Sequence, residues 1–368
     1  MDKIVAVIGA GKTGRGFLAR LLAESSCRIR FVDRDKSLVE ALRKAGSYTV
    51  RFFDGSPAQK VSGYEACTWG DACFSDVDLI LVSVGGSNLR DVGERLREEL
   101  ADGKKRYLIT AENAKRPAAL LAEALEGLPV RTAESTVFCT TIEDGGLEIA
   151  SQSYPYLQFD ADALDWDPGI PGLKPIRGFG NFLTRKLFTY NAASCVIAYL
   201  GYLKGYTDYG EAANDPEILA LLDRNYDATN RVLCQVFGYD PEDQRQFAVL
   251  SRQKFCDRTI VDTVARNARE PQRKLQPGER IMGPLMMLWE HHEDVSVLAL
   301  TAAAMLLYDG EGETAWRKIR DAGTPAEILE QVAGLPAGHP VAVKICALRE
   351  RLAARLRDGG EISLADLV

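Results

Sequence analysis

Residues 3–17, KIVAVIGAGKTGRGF, contain the pattern that decides the fold of the N-terminal half. An apolar run is followed at once by a GxGxxG loop and then by a helical pattern. In such a loop the first glycine permits a tight turn, and the second lets the backbone approach a pyrophosphate. The third allows close helix–strand packing, while the helix N-terminus offers N–H donors to phosphates. This order predicts the first βαβ unit of a Rossmann domain, with the cofactor bound by Gly9, Ala10, Gly11, Lys12, Thr13 and Gly14.

The second predicted strand, Arg28–Val32, ends at Asp33. An acid about 20 residues beyond the glycine loop can bind the hydroxyls of a ribose. Its carboxylate repels a 2′-phosphate, so the sequence favours NAD over NADP. The adjacent Arg34 could tolerate that phosphate and leaves NADP open. A related fold could also bind FAD or S-adenosylmethionine, but the rest of the chain argues against both.

Three more apolar runs, Asp78–Val84, Tyr107–Thr110 and Val130–Thr132, alternate with helical patterns. Strands that are apolar along nearly their whole length are typical of a parallel sheet covered on both faces. The candidates for cofactor binding next to these strands are Val84, Glu112 and Asn113.

The segment 165–180, DWDPGIPGLKPIRGFG, contains three prolines and four glycines and should break regular structure. We therefore expect a Rossmann domain over residues 1–180 and a substrate domain over residues 181–368. In the second part strand signals vanish, and helical periodicity covers 181–204, 215–237, 240–251, 285–307 and 340–357. The predicted fold class is α/β followed by a predominantly α-helical domain.

The composition narrows the possible partners. A net charge of −7 and a pI near 5.3 argue against a nucleic-acid surface. No apolar run is long enough for a membrane helix, and the chain enters a strand directly without the pattern of a signal peptide. Eight scattered cysteines without ligand spacing predict reduced thiols and no metal site. We expect a cytoplasmic protein that is a monomer or a small homo-oligomer.

Five cations concentrate within residues 266–280 of this acidic chain. Guanidinium groups suit phosphate oxygens, so a phosphorylated substrate fits. A carboxylate, as in a uronate, would use the same chemistry, and a solvated basic face beside Glu270 and Glu279 is the alternative. Within the cluster Arg266, Arg269, Arg273, Lys274 and Arg280, the preferred substrate contacts are Arg273, Lys274 and Arg280.

Residues 185–203, RKLFTYNAASCVIAYLGYL, resemble the signature region of the polyol-specific long-chain dehydrogenases, the mannitol dehydrogenase family. The resemblance continues in family order along most of the chain. Its other points are GAGKTGRGF (Gly9–Phe17), AEN (Ala111–Asn113), IPG (Ile170–Gly172), RKL (Arg273–Leu275) and GER (Gly278–Arg280).

The resemblance implies metal-free hydride transfer to NAD with a lysine as general base. By this resemblance Lys186 accepts the proton of the substrate hydroxyl as hydride leaves the same carbon. Such a lysine needs a pKa lowered toward neutrality by burial and nearby positive charge, and Arg185 is a candidate for that charge. Asn191 and Asn113 match asparagines of the family that donate hydrogen bonds to the developing oxyanion.

Two positions depart from the family pattern. Ser194 stands where the family usually has a histidine, three residues after Asn191. On an ideal helix with Lys186 at the origin, Ser194 and Asn191 lie at roughly 80° and 140°, so Ser194 should border the site. Val137 lies in an apolar stretch where the family typically has an aspartate–arginine pair. Either histidine of the pair 291–292 could replace the missing imidazole.

These expectations predict an NAD-dependent oxidoreductase that interconverts a polyol phosphate, such as mannitol 1-phosphate, and a ketose phosphate. One alternative is a reductase of an unphosphorylated sugar or a uronate. Another is a sensor that binds the nucleotide and turns over weakly, an outcome that Ser194 and Val137 would favour.

Overall fold

The computed structural model describes residues 3–25, 27–112, 116–357 and 363–368. Asn113, predicted for both the cofactor and the catalytic site, lies outside the described residues. The chain separates into two compact units, Met1–Phe182 and Leu183–Val368. A parallel sheet dominates the first unit and helices dominate the second, so the predicted fold class is confirmed.

Twelve strands of the first unit form two sheets in the described part of the chain. The larger sheet has the order β12-β11-β8-β7-β6-β1-β2-β5, and the smaller one has the order β4-β3-β10-β9. Their bounds are β1 Ile4–Ile8, β2 Arg28–Val32, β3 Ser47–Phe52, β4 Gln59–Ser62, β5 Glu65–Cys67, β6 Leu79–Val82, β7 Arg106–Thr110, β8 Val130–Thr136, β9 Thr141–Glu143, β10 Ile149–Ser151, β11 Leu157–Asp160 and β12 Leu173–Ile176.

The six strands from β8 to β5 in the larger sheet are parallel, as the apolar runs predict. Chain order reverses between β1 and β6, which are neighbours in the sheet. In open α/β sheets such a reversal opens a crevice outside the carboxyl ends of the strands, where ligands bind. The strand β11 pairs antiparallel with β8 and parallel with β12. The strands β11 and β12 therefore run opposite to the other six strands of the sheet.

The segment 165–180 does not break regular structure throughout, because β12 lies inside it. Pro175, which cannot donate to a ladder, is tolerated there because β12 is an edge strand. The smaller sheet has no counterpart in the sequence prediction, since its strands are three to six residues long. It packs against the first helix where Gly16 leaves room, since a Cβ there would lie 2.3 Å from Ile149 Cγ2.

Helices cover the sheet and end at recognisable caps. In the second helix, Asp35 accepts from the backbone N–H groups of Ser37 and Leu38, and Gly46 closes it at φ +63°. The helices of the first unit are Gly14–Ala19, which is π-helical and continues as Arg20–Glu24, then Lys36–Ala45, Leu89–Glu99, Pro117–Ala124 and Ala161–Leu164, with 3₁₀ turns at Trp69–Asp71 and Gly86–Asn88.

The second unit is built around the helix Ser296–Leu307, whose residues are buried on all sides up to Leu306. The helical segment predicted over 285–307 consists of two helices, Met282–Glu290 and Ser296–Leu307, separated by a turn in which His292 adopts φ +58°. The remaining helices are Phe179–Lys186, which begins in the first unit, the π-helical Leu187–Asn191, then Ala192–Leu203, Tyr209–Ala213, Pro216–Phe237, Pro241–Cys256, Val264–Ala268, Pro271–Lys274, Met282–Glu290, Thr314–Ala322, Pro325–Ala333 and Pro340–Arg357, with a 3₁₀ turn at Ala365–Leu367. Within the described ranges no helix has both the length and the apolar character needed to cross a membrane.

The close contact between Gly14, at the start of the first helix, and Gly9, which follows β1, leads to a stability prediction. A Cβ added at Gly14 would lie 2.0 Å from the carbonyl oxygen of Gly9, so Gly14→Ala should lower the free energy of unfolding by about 1–3 kcal/mol. Gly11→Ala is the matched control, since a Cβ at Gly11 meets nothing within 4 Å. Urea denaturation followed by circular dichroism measures both, and equal midpoints for the two variants would contradict the prediction.

Candidate active site

A cavity of about 500 Å³ lies at the carboxyl ends of β1, β2, β6 and β7 in the first unit. It lies where the strand order reverses, between β1 and β6, which is where the sequence predicts the dinucleotide. Most of the predicted cofactor residues line it, and Arg34 and Val137 join them. The predicted residues that line the cavity are Gly9, Gly11, Lys12, Thr13, Asp33, Val84 and Glu112.

The three glycines of the loop are needed for different reasons. Gly9 has φ +93°, and a Cβ there would lie 2.0 Å from the carbonyl oxygen of Ser83 on the neighbouring loop. Gly14 allows the helix to approach the carbonyl oxygen of Gly9. Gly11 makes no close contact in the protein, so its missing side chain leaves open space on the cavity wall. Among the three glycines, Gly11 is therefore the one whose missing side chain leaves space for a ligand.

The Asp33 carboxylate holds the glycine loop as well as facing the cavity. One oxygen accepts from the backbone N–H of Ala10 at 2.7 Å, and the other accepts from the N–H of Asp35 at 2.9 Å. Arg15 donates to the carbonyl oxygen of Ala10 at 2.9 Å. The Ala10 residue is thus fixed through both its N–H and its carbonyl, and the loop keeps its shape.

Glu112 fixes a second loop on the cavity wall. Its carboxylate accepts from the backbone N–H groups of Val84 and Gly85 at 2.6 and 2.7 Å. Burial raises the pKa of Glu112, and the two N–H donors oppose that rise. The loop after β6 is therefore tied to the end of β7.

Lys186 is the chemically distinctive group of the second unit. Burial, together with the positive charges of Lys254 and Arg280, lowers the pKa of Lys186 to about 7. The adjacent Arg185, which the sequence interpretation offered as a source of positive charge, is itself paired. Its guanidinium lies between the rings of Tyr239 and Phe247, and it pairs with an aspartate, Asp243, at 2.7 Å.

The residues after Lys186 form a π-helical turn, Leu187–Asn191, before the α-helix resumes at Ala192. A π-turn has i→i+5 hydrogen bonds, so angles calculated for an ideal α-helix do not apply across it. The predicted positions of Asn191 and Ser194 around the helix are wrong for this reason. Ser194 is partly buried, and its hydroxyl donates to Oδ1 of Asn267 at 3.3 Å.

The residues of the predicted basic cluster lie in two environments, an exposed face with acidic partners and the buried interior. Arg266 and Arg273 pair with acids, Asp262 at 2.7 Å and Glu270 at 2.8 Å, as expected for a solvated face. Lys274 is 5% exposed and donates to the backbone carbonyl of Asn267.

Arg280 differs from the other members of the cluster. It is mostly buried and pairs with Glu279 at 3.1 Å. Its charge acts on Lys186 and also on Lys274, so Arg280 lies near both lysines.

Sequence reasoning missed Lys254, which lies near the end of the helix Pro241–Cys256. This helix packs on the π-turn, where the ring of Tyr190 lies 5.0 Å from Phe247 and 6.3 Å from Phe255. An isolated lysine in a helix carries no sequence signal, and only the helix packing brings it near Lys186.

Each of the two units corresponds to one family match. Residues 179–335 match the mannitol dehydrogenase C-terminal domain, and residues 5–155 match ketopantoate reductase PanE/ApbA. A Rossmann unit followed by this helical domain defines the class as a dehydrogenase acting on a CH–OH group. The match over residues 179–335 confirms the sequence resemblance to the mannitol dehydrogenase family for the helical unit.

Relatives of known activity match nearly the whole chain. The mannitol-1-phosphate 5-dehydrogenase of Anoxybacillus flavithermus is 28% identical, over 92% of this chain and 97% of the relative. The enzyme of the same name from Brevibacillus brevis is 26% identical, over 90% and 94%.

Two solved structures share the fold. A D-sorbitol dehydrogenase in substrate-free form aligns with a TM-score of 0.77 at 14% identity, over 96% of this chain and 94% of the other. The Pseudomonas fluorescens mannitol 2-dehydrogenase, a ternary complex with NAD and D-mannitol, aligns with a TM-score of 0.70 at 15% identity, over 98% and 93%.

Gly11 allows binding to be tested separately from folding. Gly11→Ala should leave the denaturation midpoint unchanged but weaken NAD binding by about tenfold or more, because its methyl group fills the space open to the ligand. Isothermal titration calorimetry with NAD measures the effect. Wild-type affinity in Gly11→Ala would show that the ligand does not approach this part of the loop.

Proposed function

We propose that this chain is an NAD-dependent oxidoreductase that interconverts mannitol 1-phosphate, or a close analogue, and a ketose phosphate. The observation that carries the proposal is the pKa of about 7 at Lys186, which makes the amine available as a base near neutral pH. The names of the relatives support the substrate class.

The cavity of the first unit is the proposed NAD site. Open backbone at Gly11 suits a pyrophosphate, and Asp33 on the cavity wall suits the ribose hydroxyls. The likeness to an NAD complex supports this cofactor. The proposed NAD-binding residues are Gly9, Ala10, Gly11, Lys12, Thr13, Gly14, Asp33, Val84, Glu112 and Asn113.

The proposed chemistry follows from the neutral form of Lys186. Its amine accepts the proton of the substrate hydroxyl, and the two electrons of the C–H bond leave as hydride. Bound NAD supplies the hydride acceptor. By the family resemblance, Asn191 and Asn113 donate to the oxygen that becomes a carbonyl, and Ser194 stays a proposed catalytic residue. Lys186 then carries an ammonium charge and returns its proton to water before the next oxidation.

Arg280 is the preferred contact of the proposed phosphate, because it is mostly buried and near Lys186. Lys274 adds to the local positive charge. Arg273 is the most exposed of the three, and its charge is paired with Glu270. A reductase of a uronate is a second candidate, since a carboxylate would use the same cations. Ser194 in place of the family histidine supports a third candidate, a weakly catalytic sensor.

A substrate panel with wild-type protein and Lys186→Met tests the catalytic proposal. Wild type should reduce NAD with mannitol 1-phosphate, and Lys186→Met should lower kcat by at least about 10²-fold, because it removes the general base. NADH absorbance measures both. Turnover of a uronate alone would favour the second candidate, and NAD binding without turnover of any substrate would favour the sensor. Near-wild-type kcat in Lys186→Met would remove Lys186 from the mechanism.

The pH dependence should report the same lysine. Oxidation needs the neutral amine, so kcat/KM for the polyol phosphate should fall as pH drops below about 7. Reduction needs the ammonium form and should fall as pH rises above the same value. Initial rates in both directions between pH 5 and 10, a range of about two to three units on each side, measure these limbs. A rate of oxidation that is flat through pH 7 would contradict the assignment.

A further inference from the structure

The side chain of Arg15 is buried against the glycine loop of the first unit. Arg15 lies in the first turn of the helix that begins at Gly14, and it is 2% exposed. Helical side chains tilt toward the N-terminus of their helix, so the guanidinium reaches back to the loop. Its Nη1 donates to the carbonyl oxygen of Ala10 at 2.9 Å, and the hydroxyl of Tyr48 in β3 donates to the carbonyl oxygen of Arg15 at 2.9 Å. Arg15 therefore links the smaller sheet to the glycine loop.

This is an unfavourable place for a cation in the absence of a bound anion. The N-terminus of a helix carries a partial positive charge, which disfavours a cation there. Burial lowers the pKa of Arg15, and the carboxylates of Glu143 and Asp33 offset only part of that effect. In the described part of the chain its buried Nε has no hydrogen-bond partner. Features that cost stability are expected at functional sites, so Arg15 points to ligand binding.

The bond from Arg15 fixes the direction of the next backbone N–H group. The carbonyl of Ala10 and the N–H of Gly11 belong to one peptide unit, and in a planar trans unit these two groups point in opposite directions. The Gly11 N–H therefore points away from the buried guanidinium. Gly11 itself is exposed and lines the cavity, where its missing side chain leaves open space.

Asp33 fixes the preceding peptide unit in a complementary way. Its carboxylate accepts from the Ala10 N–H at 2.7 Å, so the carbonyl of Gly9, in the same unit, points away from Asp33. That carbonyl oxygen faces the helix, where a Cβ at Gly14 would lie 2.0 Å from it. Carbonyl oxygens repel phosphate oxygens, so turning both carbonyls of the loop toward the protein suits an anion in the cavity.

We propose that Arg15 is a positioning residue for the pyrophosphate of NAD, which holds the Ala10 carbonyl toward the protein so that the Gly11 N–H donates to a phosphate oxygen. Arg15 acts through Ala10 and does not touch the cofactor, and its buried charge adds attraction for the two negative charges of the pyrophosphate. The inference rests on the proposed NAD site and adds to it a residue outside the glycine pattern.

Calorimetric titration with ADP and with adenosine tests this role, because only ADP contains a pyrophosphate. Arg15→Met should raise Kd for ADP and for NAD by about tenfold or more and leave Kd for adenosine within about twofold of wild type. Arg15→Lys keeps a charged donor and should stay within about threefold for ADP. Equal losses for ADP and adenosine would show a merely structural role, and unchanged ADP affinity in Arg15→Met would overturn the proposal.

Tyr48→Phe is the matched control in the same part of the core. It removes the hydroxyl that donates to the Arg15 carbonyl and leaves the guanidinium in place. We expect Tyr48→Phe to lower the free energy of unfolding in urea while ADP affinity stays within about twofold of wild type. A loss of ADP affinity as large as in Arg15→Met would mean that destabilisation alone weakens binding, and it would overturn the specific role of Arg15.

Nuclear magnetic resonance of the wild-type protein tests the N–H direction even if Arg15→Met does not fold. In protein labelled at glycine nitrogen, the Gly11 amide signal is identified by its absence from Gly11→Ala. ADP should shift the Gly11 amide proton downfield, because the N–H becomes a donor to a phosphate, and adenosine should not. A Gly11 signal that bound ADP leaves unmoved would overturn the proposal. Failure of the wild type to bind NAD or ADP would instead overturn the proposed NAD site, and this inference with it.

Discussion

Keeping the Lys186 amine out of water beside other cations is the constraint on which the proposed chemistry of the helical unit depends. Burial disfavours an ammonium ion, and nearby positive charge disfavours it further. Two buried arginines of the first unit are paired with carboxylates. Arg30 has carboxylates at 2.6 and 2.7 Å, and the fully buried Arg106 has one at 2.6 Å. Carboxylates neutralise those guanidinium groups, and the positive charges of Lys254 and Arg280 act on Lys186.

The two units prepare their sites by different physical means. The Rossmann unit relies on backbone geometry: missing side chains at Gly9 and Gly14 allow close approach, and Asp33 fixes the loop through the N–H of Ala10. The helical unit relies on side chains, because Arg185 stacks between two rings and bonds to Gln244, which also bonds to the turn after Lys186. The first arrangement is local in sequence, and the second joins distant helices.

Contacts that are local in sequence could be predicted from the sequence, whereas contacts between distant helices could not. The glycine loop, the acid after β2 and the strands of the larger sheet follow from local patterns, and the structure confirms those elements. The short strands of the smaller sheet lack such a pattern. The π-turn after Lys186 could not be predicted from periodicity, and it invalidated the angles assigned to Ser194. Lys254 was missed because its importance arises only from the packing of its helix against Tyr190.

Serine at position 194 has a consequence for the charge balance of the site. Its hydroxyl donates to the side chain of Asn267, whose backbone carbonyl accepts from Lys274, so Ser194 joins its helix to the segment that contains Lys274. A histidine there would titrate near neutral pH. A hydroxyl stays uncharged over the same range. Ser194 therefore contributes a structural hydrogen bond on this helix without adding a titrating group.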